Sequence, residues 1–142
     1  MFFGDFYPRM DDKGRLALPA KFRDKLRDGM VIAKGQDRCL YVYPRAEFER
    51  IAAQLGKAQS TNSKVRNYAR TLFGGADDQS ADKQGRIVIK AALREYAGLS
   101  RDCAVIGVND KVEIWDAEAW RRFASEQEQH YVDFSDEFDL PE

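Results

Sequence analysis

"DDKGRLALP", residues 11–19, has a near copy in "DKQGRIVIK", residues 82–90, which begins 71 positions further along the chain. In each, an Asp stands four positions before an Arg, a Gly directly precedes that Arg, and three apolar residues follow. Aligning Asp11 with Asp82 also aligns Gly14 with Gly85, Arg15 with Arg86, Leu18 with Ile89, Phe22 with Leu93 and Arg23 with Arg94. With one residue of slippage, "VYPRAEF" (42–48) falls on "IWDAEAW" (114–120). The similarity covers about 45 residues per copy, so the chain is read as an internal duplication.

Each copy reads as strand, turn, strand, short helix, two more strands and a longer helix. Gly14 and Gly85 stand where a tight turn needs positive φ, which Gly adopts without a Cβ penalty. "RLALP" and "RIVIK" are short β-favourable runs. Phe22 and Leu26 lie i, i+4 on a short helix that Gly29 would end, and Leu93, Ala97 and Gly98 repeat the arrangement. "MVIAK" with "CLYVYP", and "CAVIG" with "KVEIW", read as hairpins. Phe48, Ile51, Ala52 and Leu55 share one face of a helix, and Asp116 is the N-cap of its counterpart. Phe48 and Trp120 are expected to serve as core anchors. Between the copies, a basic helix with Val65, Tyr68, Ala69 and Leu72 on its apolar face is capped by Ser60 or Thr61 and ended by Gly74. One copy is too small to bury a sufficient core alone, so the two are expected to interleave into a single barrel-like β core.

Composition narrows the class. The net charge of −1 hides an asymmetry: the last 18 residues hold seven acids and no Lys or Arg, which leaves residues 1–124 at +6. Residues 9–27 carry seven basic and three acidic side chains. A basic body with an acidic tail suits a polyanionic partner, with the tail solvated or competing for the same surface. No apolar run approaches the ~20 residues that span a bilayer, and the N-terminus lacks the pattern of an export signal. The expectation is a cytosolic protein with no membrane partner. Cys39 and Cys103 read as buried reduced thiols, and a metal site is not expected with one His and no CxxC. No nucleophile elbow, zinc-protease motif or phosphate loop is present, so neither a catalytic residue, a cofactor nor a small-molecule substrate is expected.

The repeated turn is the candidate site. An Arg that opens a strand at a turn projects outward, where its guanidinium can reach a phosphate or bind guanine bidentately. The Asp four residues earlier has two possible roles: capping the turn through backbone N–H bonds, or pairing with the Arg. The turn-forming role is favoured for Asp11 and Asp82, with Gly14 and Gly85. Arg15, surrounded by Arg9, Lys13, Lys21 and Arg23, is the stronger nucleic-acid candidate. Arg86, with Lys83 nearby, is the weaker one, because Gln84 replaces Lys13.

"MFFGDFYPRMDDKGRLALPAKFRDKL", "RCLYVYPRAEF", "DKQGRIVIKAALREYAGL" and "EIWDAEAW" resemble the MraZ family of bacterial transcriptional regulators. The family's two D-x-x-x-R motifs are met by Asp11 with Arg15 and by Asp82 with Arg86. The resemblance implies an α+β fold of two AbrB-like swapped-hairpin repeats that form an intramolecular pseudo-dimeric β-barrel with flanking helices. It divides the chain into a first repeat (5–52), a helical connector (53–75), a second repeat (76–123) and an acidic tail (124–142). It also implies a ring-shaped homo-oligomer, nucleoid-associated in the cytoplasm, on short direct repeats of double-stranded DNA in the promoter of its own division and cell-wall operon. Arg15 would then make the base-edge or groove contact, with Lys13 and Arg9 on the phosphates. Pro8 and Lys90 depart from the family pattern, and the acidic tail lies outside it. Two rival classes stay open. One is a protein-interaction or antitoxin-like module on the same barrel, for which the acidic, aromatic tail speaks. The other is an RNA binder, which would need exposed stacking aromatics.

Overall fold

The computed structural model describes residues 1–58 and 61–134. Both copies place β-favourable runs and helices in the same order. The first contains β1 (Asp5–Phe6), β2 (Arg15–Ala17), α1 (Ala20–Lys25), β3 (Met30–Lys34), β4 (Leu40–Pro44) and α2 (Arg45–Lys57). After α3 (Ser63–Gly74), the second contains β5 (Asp77–Gln79), β6 (Arg86–Val88), α4 (Ala91–Ala97), β7 (Cys103–Val108), β8 (Lys111–Asp116) and α5 (Ala117–Asp133).

The copies are joined by exchange. β1 pairs with β7 of the second copy and β5 with β3 of the first, while the hairpins β3–β4 and β7–β8 meet along β4–β8. The result is an antiparallel six-stranded sheet in the order β1-β7-β8-β4-β3-β5, with β2 and β6 in a separate two-stranded ribbon. The sheet is open at β1 and β5, so the closed barrel expected from the sequence is not formed among the described residues. Both edge strands are very short, and Pro8, just beyond β1, has no N–H to extend its ladder.

Strand alternation sorts the side chains into two cores. On one face Ile32, Val42, Val105 and Ile114 are fully buried beneath Leu16 and Ile87 of the ribbon and Phe22, Leu26 and Leu93 of the flanking helical segments. Each such side chain contributes roughly 1.5–3 kcal/mol relative to exposure. On the other face Ala33 and Tyr43 are covered by α2 and α3, and Ala104 and Trp115 by α5. Phe48 and Trp120 are half-buried covers of this second face, not deep core anchors, and α2 contains no buried residue. Asp116 caps α5 through a bond from the Ala119 N–H at 3.1 Å. The cap of α3 is Asn62, whose side chain accepts from Lys64 and Val65 N–H, instead of Thr61; Ser60 lies outside the described residues. α5 carries the chain ten residues past the expected end of the second repeat, to Asp133. Of the acidic tail, residues 135–142 lie outside the described residues.

Candidate nucleic-acid interface

Both roles considered for the repeated Asp are filled at once, because a carboxylate has two oxygens. Oδ1 of Asp11 accepts the Lys13 and Arg15 backbone N–H groups, each at 2.9 Å, while Oδ2 takes Nε of Arg15 at 2.6 Å. Asp82 does the same: Oδ1 accepts the Gln84 and Arg86 N–H groups at 2.9 Å, and Oδ2 takes Nε of Arg86 at 3.0 Å. The turns close through Gly14 N–H to Asp11 O and Gly85 N–H to Asp82 O, with φ of 79° and 76° at the glycines. The Arg15 N–H, with the Arg15 side chain and Lys13 N–H behind it, holds the Asp11 carboxyl below its ordinary range; Arg86 acts likewise on Asp82. Since Nε carries the bond to Asp, the η nitrogens of each guanidinium remain for another acceptor.

The ribbon brings the two arginines together. Leu16 pairs with Ile87 and points inward, so Arg15 and Ala17 of β2 share the outer face with Arg86 and Val88 of β6. Arg15 is opposite Val88 and Arg86 opposite Ala17, which places the two residues at diagonal positions with Cα atoms roughly 7–8 Å apart, each guanidinium bonded to the Asp of its own turn. Ala17 and Val88 between them are small or exposed. A two-stranded ribbon of this kind is narrow enough to enter a DNA major groove.

Each turn is also braced by the opposite copy. Arg23, on α1, lies over Gly85, and its Nη1 donates to the Gln84 carbonyl at 3.4 Å. Arg94, on α4, lies over Gly14 and donates to the Ile89 carbonyl. A Cβ at either glycine would collide with these guanidiniums, so the glycines serve close approach as well as positive φ.

Comparison with known proteins matches two segments of the chain, residues 1–71 and 72–138, to the family described as "MraZ protein, putative antitoxin-like". The chain belongs to the MraZ family. Proteins named "Transcriptional regulator MraZ" from Frankia alni, Saccharopolyspora erythraea and Thermobifida fusca are 55%, 53% and 52% identical to it, each over 96% of both chains. Asp11 and Asp82 both fall at the eleventh residue of their matched MraZ segment, which puts the two turns in register within the family repeat.

The remaining candidates are dispersed. Lys13 and Lys83 are exposed at the turn tips. Arg9 lies off the ribbon, in an isolated bridge to Asp102, with Nε 3.3 Å from that carboxylate. Three contributors were not singled out as site residues from the sequence. Arg23 and Arg94 aligned between the copies, and that coincidence was their signal. Gln79 had none: its carboxamide accepts the Val88 N–H and donates to the Val88 carbonyl, both at 2.9 Å, closing the outer edge of β6 as a strand would. The position aligned with Gln79 is Pro8, so the same edge at Ala17 has no such cover.

Cys39 and Cys103 are free and buried; burial raises both thiols, Cys103 to about 11. Among the described residues no cluster of three His, Cys, Asp or Glu side chains could hold a metal, and no helix is long and apolar enough to cross a membrane.

Proposed function

We propose that this protein is a sequence-specific, double-stranded-DNA-binding transcriptional regulator that reads DNA with the outer face of the β2–β6 ribbon. The observation that carries the proposal is the placement of Arg15 and Arg86 on the same outer face of the ribbon, each with its Nε oriented by the Asp of its own turn. Family membership and the names of the relatives support the same reading. Arg15 makes the base-edge contact, Arg86 the weaker second contact, Lys13 and Lys83 meet phosphates, and Arg9 does so only on exchanging its exposed Asp102 partner for one. In finer detail, the two copies are AbrB-like swapped-hairpin repeats, at 5–52 and 76–123, and the reciprocal placement of β1 and β5 supports that assignment. The protein acts as a ring-like homo-oligomer on direct repeats in the promoter of its own division and cell-wall operon. Repeats spaced about one helical turn, roughly 10 bp, meet equivalent ribbons on one face of the duplex. Assembly turns several weak contacts into tight binding, and occupying the promoter represses it in the nucleoid-associated state.

Fluorescence-anisotropy titration of that promoter duplex beside a scrambled one tests the proposal. Arg15→Ala is expected to remove the preference for the promoter while leaving the fold intact, because Asp11 keeps its bonds from the Lys13 and Arg15 backbone N–H groups. Retained preference would refute the reader role of Arg15. The protein-partner reading draws on Tyr131 and Val132, which α5 leaves exposed. It predicts salt-insensitive capture of one protein in the absence of DNA.

A further inference from the structure

The two turns differ in what flanks them. Beside the second, the end of α1 and residues 80–85 enclose a cleft of about 320 Å³ that is lined by Arg23, Asp24, Arg27, Asp82 and Lys83. Three of these are cations drawn from two segments far apart in sequence. Arg23 is held in place by its position over Gly85 and its bond to the Gln84 carbonyl. Arg27 and Lys83 are exposed and take no carboxylate partner among the described residues. Both oxygens of Asp82 are committed to its own turn, which leaves Asp24 as the one uncommitted carboxylate of the lining.

The equivalent positions at the first turn read differently. Gly98 stands in the place of Arg27 and Asp12 in the place of Lys83. Asp12 is ion-paired with Arg101, and Arg9 with Asp102, so that flank neutralises itself. Three cations around a cleft with two carboxylates, one of them already paired with Arg86, leave a net positive charge that an anion from outside would offset. Two guanidinium forks and an ammonium suit the tetrahedral oxygens of a phosphate group.

We infer that the cleft formed by Arg23, Arg27 and Lys83 is a phosphate seat present at the second turn and absent from the first. As a seat for a DNA phosphodiester it rests on the DNA-binding reading above; a free phosphate ion offers the same chemistry. The turn leads directly into β6, so a backbone phosphate held here lies at one end of the ribbon. That makes the second turn an anchor and the first a reader.

The test transplants the first copy's residues into the full-length protein as the double variant Arg27→Gly/Lys83→Asp, with Arg27→Gln/Lys83→Gln as the milder form should the first fail to fold. Affinity for the promoter and scrambled duplexes is measured across salt, and inorganic phosphate is titrated separately by calorimetry. Binding to both duplexes is expected to weaken about tenfold with their ratio preserved. The log–log salt slope is expected to become shallower by about 0.9 for each DNA phosphate that the variant no longer neutralises. Unchanged DNA binding, together with saturable phosphate binding that is absent in the variant, would keep the seat and assign it to the free ion. Unchanged duplex affinity and slope, with phosphate titrations that do not differ between variant and wild type, would overturn it. Arg15→Ala on the same duplexes reports on the DNA reading separately, since that variant changes the ratio between duplexes and leaves the cleft intact.

Discussion

The segments Asp11–Arg15 and Asp82–Arg86 are built from the same five hydrogen bonds, yet their flanks are opposite in character. At the first, Asp12 and Arg9 are tied to Arg101 and Asp102, and Pro8 leaves the edge of β2 uncovered. At the second, Gln79 closes the edge of β6, and Arg27 and Lys83 stand open beside the turn. The internal bonds of each turn close within five residues and so follow from local sequence alone. The flanks combine positions that no turn bond fixes, such as Asp12 and Lys83, with partners distant in sequence, Arg101 and Asp102 at the first turn and Arg27 at the second, and there duplication has left room for divergence. A repeated motif therefore keeps its geometry without keeping its surroundings.

The two turns differ most in what they tolerate at their glycines. Gly14→Val is expected to destabilise the fold by about 2–5 kcal/mol, from the strain of positive φ and from collision. Gly85→Val should cost less. A Cβ at Gly14 lies 2.7 Å from the Ile89 carbonyl oxygen, which is backbone, whereas the atoms closest to a Cβ at Gly85 belong to the flexible Arg23 side chain. Denaturant unfolding of both variants checks the order, and equal losses would show that φ strain alone matters.

Gln79→Ala should cost about 1–3 kcal/mol for its two bonds to the β6 backbone. It should also bring hydrogen exchange at the Val88 amide close to that at Ala17. If Val88 stays protected, the edge is closed by something other than the carboxamide.

Arg101→Ala sharpens the contrast between the flanks at lower cost. Its pair with Asp12 is well exposed, at 62% and 82%, so unfolding should change by no more than about 1 kcal/mol. A larger loss would mean that the first flank is structural.

The smallest expected effect is acid loosening of the turns. Folding lowers the carboxyls of Asp11 and Asp82, so the stabilisation they give is complete above the unfolded carboxylate range, near pH 4, and is lost as pH falls through their folded values. NMR titration of the Lys13, Arg15, Gln84 and Arg86 amides should show both turns responding together. Separate midpoints would show that the flanks reach the carboxylates after all.

Much of this was legible in the residues. The duplication, the order of elements, the hairpins and the Asp116 cap follow from spacing and turn chemistry. The Asn62 cap displaced Thr61 because caps one residue apart compete on equal local terms, and helix phase decides between them. Phe48 and Trp120 looked like core residues because helical periodicity marks a buried face but not how deeply it is covered.

Local residue chemistry is enough to form two Asp-x-x-Gly-Arg turns, each aiming a guanidinium from the start of a strand, since every bond involved lies within five residues. Long-range packing decided that β2 would pair with β6, so that Arg15 and Arg86 share one face, and that Arg23 and Arg94 would lie over Gly85 and Gly14 of the opposite copies. It also decided that, among the described residues, the sheet would stay open at β1 and β5. Those outcomes rest on registers between segments about 70 residues apart, where burial of Leu16 against Ile87 selects one pairing and local sequence carries no record of the partner.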